Sequence, residues 1–173
     1  MVCIVFEDRM RRDRLEYFRT VLGQPPHAAA MVKGSEEYPG ISGMVRFYQT
    51  IYGVMVAAEL SGLPDASGKC ASPVFAFHIH SGGSCTGDES DPFADALTHY
   101  NPDECDHPHH AGDLPPLFSN NGYAFSICLT NRFRIREVIG KTVIVHAGAD
   151  DFTTQPAGAA GEKIACGVIR SFF

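Results

Sequence analysis

The sequence predicts an all-β protein, an antiparallel sandwich or flattened barrel. Short segments of strand length, rich in β-branched and aromatic residues, recur from residue 28 onward between clusters of turn residues. Helical periodicity is confined to one segment near the N-terminus, and no strand–helix–strand alternation appears.

Taken in order, residues 7–22 read as a short amphipathic helix. Met10, Tyr17, Phe18, Val21 and Leu22 gather on one side, and Gly23 with Pro25-Pro26 supplies the stop. Arg9, Arg11, Arg12, Arg14 and Arg19 cover much of the remainder as a solvated face. Strands follow over 28–33, 44–49 and 54–61, the last two joined by a hairpin at Ile51-Tyr52-Gly53. Further strands cover 74–80, 123–130, 142–146 and 164–169. Two long segments, 82–116 and 147–162, are too rich in small, turn-forming and polar residues for regular structure. Loops of that length inside a compact domain are functional or are organised by something other than a core.

A chain of 173 residues fits one domain with a sizeable core. The expected division is an N-terminal helical extension over 1–27 and a single domain over 28–173. A net charge of −6 argues against nucleic acid as a partner, and any anion chemistry would need a local basic patch. No apolar run approaches the roughly 20 residues that span a bilayer. The charged stretch from Glu7 to Arg19 follows too short an apolar start for a secretory signal, so a cytoplasmic address is expected. None of the six cysteines forms a CxxC pair, which disfavours a thiolate zinc ribbon.

Histidine carries the chemistry. Seven of the eight histidines fall between His78 and His146. His78-Ile79-His80 ends a predicted strand, and strand alternation aims both rings at one face with backbones about 7 Å apart. His146 ends another strand. Three imidazoles suit copper, zinc, iron or nickel, so these ligands alone do not choose the metal. The first long loop adds His99, His107, His109, His110 and Asp113, a donor set that suits a closed tetrahedral zinc site.

The order of these motifs resembles the copper/zinc superoxide dismutase family over roughly residues 28–170. The matching stretches are Phe77-His78-Ile79-His80, Gly83-Ser84-Cys85, Thr98-His99-Tyr100-Asn101-Pro102, His110-Ala111-Gly112-Asp113-Leu114-Pro115, His146 through Asp150-Asp151, and Gly161 through Ile169. The resemblance implies a Greek-key sandwich of about eight strands. It implies a copper ion held by His78, His80, His99 and His146, and a zinc ion held by His99, His107, His110 and Asp113. His99 then bridges the two metals and acts as the proton donor while copper alternates between valences. Asp150 corresponds to the family carboxylate that bonds His78 and His107. Cys85 and Cys166 correspond to the family disulfide, and Cys70 with Cys105 leave a second bridge open. Lys163 stands where the family places an arginine beside the copper, so it is expected to guide the anion without the planar fork. The second long loop is short for the family's charge-guiding loop.

The implied substrate is superoxide, with no nucleic acid or membrane partner and a homodimer left open. The alternative is a non-catalytic zinc- or copper-binding protein on the same fold. A mononuclear oxygenase or hydrolase on a histidine-rich barrel would have no use for a bridging ring.

Overall fold

The computed structural model describes residues 13–65 and 73–172. Cys3, Cys70 and the first turns of the expected 7–22 helix lie outside the described residues.

Among the described residues there are nine strands: β1 (Ala28–Gly34), β2 (Ser42–Thr50), β3 (Gly53–Ser61), β4 (Val74–Phe75), β5 (Phe77–His80), β6 (Leu117–Phe118), β7 (Ala124–Thr130), β8 (Thr142–His146) and β9 (Lys163–Ser171). Seven form an antiparallel sheet in the order β5-β8-β9-β1-β2-β3-β7, and β4 pairs with β6. Because β6 packs beside β7 and β4 runs on into β5, the sheet curls almost fully round on itself. Strands β7 and β8 follow one another in the chain yet stand far apart in the sheet. The crossing between them, through a short helix α2 (Ile135–Val138), gives the Greek-key return.

The expected single strand over 74–80 is two strands. At Ala76, which is fully buried, the chain leaves the β4–β6 pair, and its amide donates to Gly148 O while its carbonyl accepts from His146 N. Strand β6 and helix α2 were not expected, since two and four residues are too few to show a period.

Alternate residues of every central strand fill one core. Phe47, Leu60, Ile79, Ile164 and Ile169 are fully buried there. Each such side chain contributes about 1.5–3 kcal/mol, so the sandwich does not depend on any one loop residue. The described part of the N-terminal helix, α1 over 13–22, lays Phe18 and Val21 on Tyr48, Met55 and Ala57 of the outer β2–β3 face. Ile51 N donates to the Tyr17 hydroxyl and fastens the β2–β3 hairpin to the same helix.

Strands β5 and β8 are buried on both faces along their whole length. Phe77, Ile79, Val143 and Val145 point into the core. His78, His80, Ile144 and His146 take the opposite face, and the two long loops roof them.

Candidate metal centre

The free edge of β5 is closed by the first long loop, and that closure assembles the site. Ile79 N donates to Gly112 O, and Tyr100 N donates to Ile79 O, both at 2.8 Å. This backbone ladder sets His99 opposite His80 and Asp113 opposite His78. Gly112 is required there, because a Cβ would lie 2.2 Å from Ile79 O. A bulge between Val145 and His146 shifts the β8–β9 register so that His146 faces Lys163.

Two groups of donor atoms result, each with all members within 4.8 Å of one another: His78, His80, His99 and His146, and His99, His107, His110 and Asp113. His99 belongs to both. All six histidines are buried. His109 is exposed and joins neither group.

Hydrogen bonds fix which nitrogen each ring offers. The carbonyls of Leu97 and Gly161 accept from Nδ1 of His80 (2.8 Å) and His146 (3.1 Å). Their Nε2 atoms therefore carry lone pairs, yet they face each other at 3.2 Å. Asp150 accepts hydrogen bonds from the Nε2–H groups of His78 and His107 at 2.8 Å each, which leaves the Nδ1 atom of each neutral ring as the one with the lone pair. Gly158 makes room for that carboxylate, since a Cβ at this left-handed position (φ +68) would lie 2.0 Å from Asp150 Oδ1. His78 Nδ1, His107 Nδ1 and His99 Nε2 are buried without any hydrogen-bond partner.

Protons do not resolve the crowding of lone pairs. Burial pushes His78 down to about 2, and the rings of His99 and His146 act in the same direction. Burial likewise brings His146 down to about 4 against the bond to Gly161 O, and holds His80 well below its ordinary value. Neutral rings whose unshared nitrogens converge are suited to metal cations. On the Asp113 side, His99 Nδ1 is 2.8 Å and His107 Nδ1 3.1 Å from the two carboxylate oxygens, and His110 Nδ1 is 3.3 Å from His99 Nδ1. Four ligands at about 2.0–2.1 Å on a tetrahedron stand roughly 3.3 Å apart, so this group fits zinc. The four-imidazole group suits a nitrogen-preferring redox metal such as copper.

The disulfide Cys85–Cys166 is formed, tying the first loop to β9 beside Phe93, Ala96 and Ile144. Cys105 is a free, exposed thiol. Lys163 lines a cavity of about 590 Å³ together with His80, His99 and His146. It is no surface lysine: its side chain is 14% exposed and its ammonium is paired with Asp91.

Three supporting residues were not expected from the sequence. Gln155 clamps the two long loops together, its Oε1 accepting from His107 N at 2.9 Å and its Nε2 donating to His107 O at 2.7 Å. Arg132 Nη1 donates to the carbonyls of Pro108, His110 and Asp113 at 3.0, 3.2 and 3.3 Å. Asp91 is the third. Each acts across a long sequence separation, and no local motif marks it.

A β-sandwich that brings two histidine-rich donor groups together on one shared imidazole defines a dinuclear metalloprotein. Residues 41–169 match the copper/zinc superoxide dismutase (SODC) family pattern. The chain is 34% identical over 142 residues to "Superoxide dismutase [Cu-Zn]" of Photobacterium leiognathi, covering 74% of this chain and 78% of that protein. It is 33% identical over 140 residues to the protein of the same name from Legionella pneumophila, covering 76% and 80%. For the Deinococcus radiodurans protein of that name the identity is 31% over 168 residues, covering 87% of each. The chain belongs to the copper/zinc superoxide dismutase family.

Proposed function

We propose that this chain disproportionates superoxide, converting two superoxide ions and two protons into dioxygen and hydrogen peroxide. The single observation that carries the reading is His99, which belongs to both donor groups and is the only residue common to them. Copper supplies the one-electron chemistry when bound, and zinc supplies a fixed charge without redox activity.

The residues then have separate tasks. His78, His80 and His146 are assigned to copper, and their hydrogen bonds to Asp150, Leu97 O and Gly161 O hold the rings in fixed tautomers. His107, His110 and Asp113 are assigned to zinc. His99 Nδ1 is engaged on the zinc side, while its Nε2, buried and unpartnered, is the atom that can take and release a proton at the reacting end. The non-catalytic alternative would be favoured by a missing donor on the copper side, and all four are present.

The reading includes a homodimer. Its support is the outer face of β7, where Phe125, Ile127 and Leu129 leave an exposed apolar stripe. Among the described residues no helix is long and apolar enough to cross a membrane.

The test is the rate of superoxide loss with protein loaded with both metals, with protein holding zinc alone, and with His99→Ala. Copper-dependent activity that the substitution removes is expected. Equal rates in all three would overturn the reading, and light scattering decides the dimer.

A further inference from the structure

Lys163, on the rim of the copper-side cavity, is paired with a carboxylate, Asp91, to which the family resemblance gives no role. Lys163 is the only Lys or Arg among the described residues lining that cavity, and Asp106 lines it with the opposite sign. The ammonium of Lys163 is not free to meet an anion. Its Nζ donates to Asp91 Oδ2 at 2.5 Å and to Phe93 O at 3.1 Å, both on the disulfide-bearing loop.

Asp91 is itself held in place. Its Oδ1 accepts from Phe93 N at 3.0 Å, its amide donates to Asp88 Oδ1 at 3.0 Å, and its carbonyl accepts from Asp88 N and Ala94 N. The disulfide at Cys85 fastens the same loop to the strand that carries Lys163. A carboxylate so anchored draws the flexible lysine towards the loop, not the reverse. Opposite charges at contact leave a field that falls off much faster than that of a lone ammonium, and the tether also fixes how far the ammonium can reach.

We infer that Asp91 is the residue that sets the anion affinity of this cavity, acting through Lys163 as counter-ion and tether. The inference rests on the dismutase reading for the identity of the anion. Asp91 is a positioning residue, and Lys163 is the group through which it acts.

The probe is azide, a small monovalent anion, titrated optically onto the copper(II) form of the protein loaded with both metals. At about 10 mM ionic strength, Asp91→Asn should tighten azide binding roughly three- to tenfold, and 0.5 M salt should remove most of the gain. Asp95→Asn serves as the charge control, because Asp95 lies on the same loop but is hydrogen-bonded to Thr86. It should change azide binding by less than about twofold. In a Lys163→Met background the gain from Asp91→Asn should shrink to that of the control.

Unchanged or weaker azide binding in Asp91→Asn at full copper and zinc content would overturn the inference. So would an equal gain with and without Lys163, which would make Asp91 a remote charge and nothing more. Azide binding involves no turnover. A metal-loaded protein that fails to consume superoxide would therefore overturn the functional reading alone.

Discussion

His78 and His107, one from each donor group, donate to the two oxygens of a single carboxylate, Asp150, at 2.8 Å each. The two donor groups thus share the Asp150 carboxylate as well as the His99 ring. Asp150→Asn keeps the shape but loses one acceptor, and should weaken both sites by about 10–100-fold. Competition with a chelator, metal by metal, reads this directly. Loss confined to one metal would contradict the shared role.

Arg132 should govern zinc alone. Its guanidinium gathers three carbonyls of the segment bearing His107, His110 and Asp113, and Arg132→Met releases all three. Zinc should dissociate about tenfold faster, with copper release on the other side little changed. Cobalt placed in the zinc site should show an altered visible spectrum, and Arg132→Lys should recover part of the loss. Unaltered zinc release in Arg132→Met would contradict this.

The metal-free protein should lose stability in acid. His78 and His146 sit at about 2 and about 4 when folded, against an ordinary value of 6.5. The unfolded chain therefore takes up these protons first as pH falls. Stability is fully present above about pH 6.5 and is lost progressively below it, through 4 and on towards 2, by several kcal/mol in order of magnitude. Thermal midpoints at pH 7, 5.5 and 4.5 check the trend. Bound metals should move the loss to lower pH, because they compete with protons for the same nitrogens. A pH-independent midpoint in the metal-free protein would contradict the neutral, buried rings.

The thiols should react in a fixed order. Cys105 is exposed and should alkylate quickly, whereas burial raises the Cys128 thiol to about 11 and should make it slow. Cys85 and Cys166 should react only after reduction. The link spans 81 residues, so reduction should cost about 4–5 kcal/mol in the chain-entropy account. Mass-mapped peptides and denaturant midpoints, with and without reductant, measure both effects. Free Cys85 and Cys166 in unreduced protein would contradict the structure.

Part of the site was legible because its donors lie in short motifs. His78-Ile79-His80 needs only strand alternation to put both rings on one face, and β5 does so. The resemblance grouped His99, His107, His110 and Asp113 and set Asp150 against His78 and His107, and the chain brings these side chains together in that arrangement. What escaped depends on contacts that no local pattern encodes. Ala76 looks like one more strand residue, yet the chain changes sheets there. Gln155 meets His107 from 48 residues away, and Asp91 meets Lys163 from 72. The charge at Lys163 could be read from the sequence, but its neutralisation could not.

The most direct test of the central claim is magnetic. Protein carrying copper(II) in both sites should show two spins coupled through the His99 ring, with a metal content of two per chain when copper and zinc are supplied together. His99→Ala should abolish the coupling and most dismutase activity while the circular dichroism of the sandwich persists, because the core does not include this residue. Two fully occupied but uncoupled copper sites in the unaltered protein would contradict the bridging role of His99.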